Sequence, residues 1–421
     1  MKRRPVTRRV PSGARVRHCL RGLIVVADDP GSAAAATVRV GDQFVMTVAG
    51  LELLIARLAQ LGYEVKGPVV RGGAVVPGIV ASAAELPVGK RDEQSPGQYR
   101  LRDSGDGKFF SWAVGPGSWK AEFFPPVQEV WRARRDGDLL HFRETSAGPA
   151  PLAIVGARPC EIAAMEVQDK VLKDGAHRDP VYGDRREGAF IVVVECGFPA
   201  STCFCASMGT GPGIERGFDL ALTEIDDADG HRFLGRVGTE SACTALAGIT
   251  YGPVSDADVE ARVQVLEESS HRISRALDTD GLADVLVRNL DHPRWAEVAE
   301  RCLSCANCTM VCPTCFCSDI RDVSDLAGGL ERRRLWSSCF DLDHSYLHGG
   351  AVRQSVSSRY RQWMTHKLST WWDQFDTSGC VGCGRCIAWC PVGIDITEEA
   401  SVIAASDGAA ATSDETKGGV A

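Results

Sequence analysis

The sequence predicts an α+β chain in which an N-terminal mixed α/β domain is followed by a helical, cysteine-rich domain interrupted by a long insertion. Three observations carry this prediction. A strand-helix-strand pattern lies near the middle of the 421 residues, one four-cysteine motif occurs twice in the last third, and residues 313–379 separate its two copies.

The elements follow in chain order. The first 21 residues hold eight positive charges (Lys2, Arg3, Arg4, Arg8, Arg9, Arg15, Arg17 and Arg21) and no acid. The apolar run after them, residues 23–27, is too short for the hydrophobic core of a signal peptide, so residues 1–45 read as a basic, disordered extension. A start codon placed too far upstream would produce the same pattern. From Leu51, the residues Leu51, Leu54, Ile55 and Leu58 recur at helical spacing until Gly62, and an extended segment follows over 63–70. An α/β domain is therefore expected over 46–290. Residues 86–126 mix Gly, Pro and aromatics, which suits short strands and loops.

The middle of the chain is the more informative part. Residues 152–155 read as a buried strand, 161–172 as a helix and 190–194 as a fully apolar strand. Parallel neighbours joined by a right-handed crossover place their C-terminal ends on one sheet edge. Cys160 follows the first strand and Cys196 the second, with Cys203 and Cys205 in the loop that Cys196 opens, so four thiols converge where α/β folds commonly place their sites. Residues 256–290 have the periodicity and charge of a surface helical segment. The cysteine-rich domain is expected over 291–400, and the Ala, Ser, Gly, Asp and Thr-rich residues 401–421 as a disordered tail.

Composition narrows the function. A net charge of -8 offers no basic face for nucleic acid, and no continuous apolar stretch is long enough for a membrane-spanning helix. The 17 cysteines are odd in number and clustered a few residues apart, which favours thiolate ligation of metal in a reducing compartment over a disulfide framework. A cytoplasmic protein is expected.

Cys302, Cys305, Cys308 and Cys312, followed by Pro313, spell C-x2-C-x2-C-x3-C-P, and Cys380, Cys383, Cys386 and Cys390, followed by Pro391, spell it again. In this motif three thiolates on a tight loop hold one cluster, while the fourth cysteine begins a helix that carries it to the other. One 4Fe-4S cluster is thereby assigned to Cys302, Cys305, Cys308 and Cys390, and a second to Cys380, Cys383, Cys386 and Cys312. The domain is then a ferredoxin-like dicluster domain. Zinc in two four-cysteine sites is the weaker alternative, because it ordinarily uses separated C-x2-C knuckles.

The insertion carries Cys315, Cys317 and Cys339, and the tetrapeptide Thr-Cys-Phe-Cys stands both at 202–205 and at 314–317. A third cluster on Cys160, Cys196, Cys203 and Cys205 is expected, and a fourth, incomplete set on Cys315, Cys317 and Cys339 is its weaker counterpart, with His344 an outside candidate for the missing ligand. Against both stands the reading of these cysteines as small buried residues without ligands. His348 and His366 read as structural or surface residues, and Cys19 and Cys243 as unpaired. The run Gly209 to Gly213 lacks the spacing of a phosphate-binding loop and reads as a tight turn. Trp363, Trp371, Trp372 and Trp389 are expected to exclude water from the clusters.

With these motifs in hand the chain resembles the beta, iron-sulfur subunit of soluble cytoplasmic NiFe hydrogenases (sulfhydrogenases), and it is similar to the A-type subunit of anaerobic sulfite reductase. The stretches that carry the resemblance are GARPCEIAAM, ECGFPASTCFCASMGTGP, GFDLALTEI, RCLSCANCTMVCPTCFC, SRYRQWMTHKLSTW and GCVGCGRCIAWCPVGIDITEE. They span most of residues 46–400; the first 45 residues lie outside it. The resemblance implies an electron relay from a diaphorase subunit that binds FAD and NAD(P)H to a catalytic partner, which in the hydrogenases is a NiFe small and large subunit pair. No nicotinamide-binding G-x-G-x-x-G fold occurs in this chain, so the active sites would lie on other chains. Two readings compete with the relay: a sensory or structural iron-sulfur binding module, and an enzyme whose incomplete cluster leaves an iron open to substrate. For the latter no positioned acid-base constellation is visible.

Overall fold

The computed structural model describes residues 38–144 and 150–407. The basic extension up to residue 37, Cys19 and the tail beyond residue 407 lie outside the described residues. The strands are β1 (Gln43–Thr47), β2 (Glu64–Arg71), β3 (Ala74–Ile79), β4 (Lys90–Ser95), β5 (Gln98–Asp103), β6 (Val127–Asp136) and β7 (Leu139–Glu144). They continue with β8 (Leu152–Ala157), β9 (Phe190–Val194), β10 (Leu220–Asp227), β11 (Gly230–Val237), β12 (Ser318–Ser324) and β13 (Gly329–Trp336).

Seven of these form a mixed sheet in the order β1-β11-β10-β9-β8-β2-β3. Its centre is parallel, with Val65 opposite Ala153, Ile154 opposite Ile191 and Val192 opposite Leu220. Both faces are covered, which is why β8 and β9 read as unbroken apolar runs rather than alternating ones. Ala153, Val155, Phe190, Val192 and Val194 pack beneath the helix Val48–Gln60, whose buried residues include Leu51, Leu54, Ile55 and Leu58. Ile154, Ile191 and Val193 point the other way, onto Ile162 and Met165 of the helix Pro159–Leu172 and onto Phe123 and Phe124.

The expected strand-helix-strand unit is thus present as β8, the helix Pro159–Leu172 and β9, paired in parallel. The helix starts earlier than the periodicity indicated, because Pro159 occupies its first turn and Glu161 closes a capping box with the Arg158 backbone. Folded structure likewise opens before residue 46, with β1 at Gln43 pairing against β11. The segment 256–290 is two helices, Asp256–Arg272 and Leu282–Arg288, with Gly281 in the left-handed region before the second. The expected tail from residue 401 begins inside the helix Ile396–Ala405. Asp395 caps it, and Ile396, Ala400 and Ile403 bury one side, a spacing masked by the small residues around it.

The insertion does not stand apart. Its hairpin β12-β13 pairs with β6 and β7 into a second sheet of order β12-β13-β6-β7, Leu330 facing Ala133 across the junction. The rest of the insertion runs as the helix Val356–Thr365, a π-helical turn at His366–Thr370 and the helix Trp371–Phe375. Tyr360, Trp363, Met364 and Leu368 pack there with Leu286, Trp295, Val298 and Ile403 in the core of the cysteine-rich part.

Candidate metal centres

The two cysteine quartets share one backbone shape. Ser304 and Ala306 in the first have φ of 50° and 63°, and Gly382 and Gly384 at the matching positions of the second have 65° and 73°. These left-handed residues curl each loop back over three thiols. The amide of Ser304 then donates to Cys302 Sγ at 3.4 Å, and that of Gly382 to Cys380 Sγ at 3.5 Å. After each curl a single helical turn, Asn307–Met310 or Arg385–Ala388, carries the third cysteine, and Asn307 bonds across to the Trp389 carbonyl. The glycines of the second loop are required by space as well as by φ. A Cβ on Gly384 would stand 2.4 Å from the Thr202 carbonyl oxygen, and one on Gly382 would stand 2.7 Å from the Cys205 backbone.

Cys302, Cys305, Cys308, Cys386 and Cys390 line one cavity, walled by Phe340, Tyr360, Trp363 and Ile394. Cys312 lies within electrostatic reach of Cys380 and Cys386 and also of Cys308. Cys390 thus sits with the thiols of the first loop, and Cys312 lies between the two loops. Cys160, Cys196, Cys203 and Cys205 line a further cavity together with Gly211, Pro212 and Cys383. Cys383 thus faces two thiol sets, and the loop after β9 is hydrogen-bonded to the second quartet by Phe204 N to Gly382 O at 2.8 Å and Thr210 Oγ1 to Val381 O at 2.6 Å. The run Gly209 to Gly213 is the tight turn that closes this cavity.

The thiol set of the insertion is divided. Cys315 meets Cys312, whereas Cys317 meets Cys339 and His344. His344 Nδ1 bonds Ser337 Oγ at 2.9 Å, and His366 packs against Phe316 and Trp371. Cys243 only donates weakly to the Thr239 carbonyl. Of the four tryptophans, Trp363 and Trp371 are buried, but Trp372 is 49 % exposed and shields nothing. Trp389 lies against Tyr99.

Burial pushes the Cys205 and Cys380 thiols up to about 12. Burial likewise raises Cys160, Cys203, Cys308 and Cys386 well above the usual thiol range. Such thiols stay protonated by themselves and release their protons only to a metal. Cys312 is the exception: the Cys315 thiol hydrogen-bonded to it, with the Lys367 ammonium beside it, holds it well below that range against the pull of burial. Cys317 is brought to about 4, chiefly by its hydrogen bond from Cys339 and then by His344.

Among the described residues no three His, Cys, Asp or Glu side chains are grouped to hold a single metal ion. The pockets between the thiols suit a larger group that accepts hydrogen bonds. Tyr360 Oη and Trp363 Nε1 in the wall of the first cavity are buried without a protein partner. An iron-sulfide cluster offers acceptors to such donors and tunes its potential through them. No helix among the described residues is long and apolar enough to cross a membrane.

Two thiol-lined loops of one backbone shape, with buried donors in the cavity wall, suit an iron-sulfur protein, and residues 301–394 match the model of the 4Fe-4S dicluster domain. Over 251 residues the chain is 33% identical to sulfhydrogenase 2 subunit beta of Pyrococcus furiosus, a match covering 59% of this chain and 72% of that protein. The chain belongs to the family of hydrogenase beta, iron-sulfur subunits, and it is an electron-transfer subunit carrying 4Fe-4S clusters. No solved structure matches it.

Proposed function

We propose that this chain passes single electrons between two partners in the cytoplasm: a diaphorase subunit that binds FAD and NAD(P)H, and a NiFe hydrogenase module of small and large subunits. Hydride chemistry at a flavin moves electrons in pairs, whereas iron-sulfur clusters move them singly, so a relay belongs between the two. The observation that supports the reading is that Cys390 shares a cavity with Cys302, Cys305 and Cys308 while Cys312 lies within reach of Cys380 and Cys386, an arrangement that would set two clusters side by side. One cluster rests on Cys302, Cys305, Cys308 and Cys390, and the other on Cys380, Cys383, Cys386 and Cys312.

A third cluster on Cys160, Cys196, Cys203 and Cys205 extends the path. Its support is the cavity those four thiols share with Cys383, which makes the second cluster its immediate neighbour. The division of Cys315 from Cys317 and Cys339 weakens a fourth cluster. Residues 46–290 and 291–400 remain the working division into an α/β part and a dicluster part.

Iron and acid-labile sulfide analysis of the anaerobically purified chain tests the clusters, with about twelve irons expected for three. About eight would remove the third cluster, and zinc in place of iron would remove the relay. Purification of the native complex tests the partners. Diaphorase and NiFe subunits are expected to accompany the chain; a sirohaem-bearing partner would instead identify it as the A-type subunit of anaerobic sulfite reductase.

A further inference from the structure

Two buried cations of the cysteine-rich part, Lys367 and Arg359, have no carboxylate partner among the described residues, and of the two only Lys367 reaches a sulfur. Lys367 is 3 % exposed, and its ammonium donates to Cys312 Sγ at 3.2 Å, Thr314 Oγ1 at 3.1 Å and the Gly379 carbonyl at 2.9 Å. Those are the three donors a lysine has. Among the described residues no carboxylate lies within ion-pair distance of it, so sulfur is the only negative group the ammonium touches. The chain turns Lys367 inward from the π-helical segment His366–Thr370, a local departure from α-helical winding of the kind found at functional sites. A second ammonium, Lys120, approaches the same strand of chain. It is buried, donates to the Cys315 carbonyl at 3.2 Å and sits 3.8 Å over the Trp336 ring.

Among the described residues no cation donates to a sulfur of the first thiol set. Arg359, whose charge reaches Cys302, donates to the Arg353 and Gln354 carbonyls and to Ser304 Oγ, and none of these bonds reaches a sulfur. A buried ammonium is costly to keep unless negative charge balances it, and a methionine would fill the same space without that cost. Its retention beside one thiol set is therefore informative.

We propose that Lys367 is a tuning residue: by placing a fixed positive charge and an N-H donor on the Cys312 sulfur, it stabilises the reduced form of the cluster that Cys312 serves and raises that cluster's reduction potential. This rests on the assignment of Cys312 to the cluster of Cys380, Cys383 and Cys386. One electron is added, no bond in the protein is broken and no proton need move. Negative charge gained by the cluster is met by a charge already in place. The electron accordingly rests at the second cluster, beside the third thiol set, instead of at the first.

The test is an EPR-monitored redox titration of the full chain, purified anaerobically with its clusters, in wild type, Lys367→Met, Lys367→Gln and Lys367→Arg. Lys367→Met is expected to lower the equilibrium constant for reducing one cluster at least tenfold, equivalent to about 59 mV for one electron. The other clusters should hold their potentials. Lys367→Arg should return most of the shift. Full iron content with unchanged potentials in Lys367→Met would overturn the proposal. If Lys367→Met does not hold iron, Lys367→Gln decides by the same criterion. Loss of about four irons in both neutral variants but not in Lys367→Arg supports the charge, and loss in all three assigns Lys367 a purely steric part. Failure of the ligand assignment is distinguishable, since the wild-type chain itself would then lack the 4Fe-4S signals.

Discussion

Glu161 and Arg385 join the α/β part to the second cysteine loop, and removing the charge of Glu161 should loosen both at once. Arg385 is 1 % exposed and lies between Cys383 and Cys386 in sequence. Beyond its ion pair with Glu161 it donates to the Gly115 and Gly117 carbonyls at 2.9 and 3.1 Å. Glu161 also accepts from the Arg158 amide and from Trp119 Nε1, each at 3.0 Å. Removing one partner of a buried pair strands the other charge and costs about 3–5 kcal/mol. Glu161→Gln keeps an acceptor and belongs near about 3 kcal/mol, and Glu161→Ala near about 5 kcal/mol. With a urea slope of about 3 kcal/mol per molar, the glutamine variant should unfold about 1 M earlier. The assay is urea unfolding under anaerobic conditions, followed by far-ultraviolet circular dichroism and by the visible absorbance of the clusters. A midpoint within about 0.3 M of wild type would refute the assigned role of the pair. The double variant Glu161→Gln with Arg385→Met should recover much of the loss, because an apolar replacement removes the stranded charge.

Gly384→Ala forces a Cβ to 2.4 Å from the Thr202 carbonyl at a φ of 73° and should reduce iron content, measured by colorimetric iron assay. Ala306→Gly at the matching position of the first loop should instead stabilise the loaded protein by about 1 kcal/mol, read from the same urea curves. Cys203→Ser should lose about four irons if the third cluster exists, and unchanged iron would exclude it. The hydrogen bond from His231 to Glu224 raises the histidine above its ordinary 6.5, so its stabilising contribution is full below that value and is lost as pH rises through the folded pKa. Urea midpoints between about pH 5 and pH 8 should fall with rising pH in wild type and fall less in His231→Phe.

How much was legible depended on whether a residue's task was local. The β8-helix-β9 unit was readable because both strands are apolar on both faces, and from their pairing the meeting of Cys160, Cys196, Cys203 and Cys205 followed. The quartets were readable because ligand spacing is itself local chemistry. The pairing of β13 with β6 was not, since it joins segments far apart in sequence and both strands are rich in arginine rather than apolar residues. Lys367 and Arg385 were not singled out, because nothing in their sequence neighbourhoods reports burial. His344 stood close to Cys339 in sequence, but its contact with Cys317 depends on how the insertion folds back. The break after Arg272 was masked by charged residues that continue past it.

The sheet that joins β6 to β13 sets a timetable for making this protein. Roughly 200 residues separate the two strands, and at about 5–20 residues synthesised per second the wait for the second is about 10–40 s. During that interval the emerging β6-β7 ribbon presents an open edge, with Leu139 and Phe142 uncovered, to any neighbouring nascent chain. Iron and sulfide delivered in that window would find neither dicluster ligand set complete, because Cys380, Cys383, Cys386 and Cys390 are still to be made.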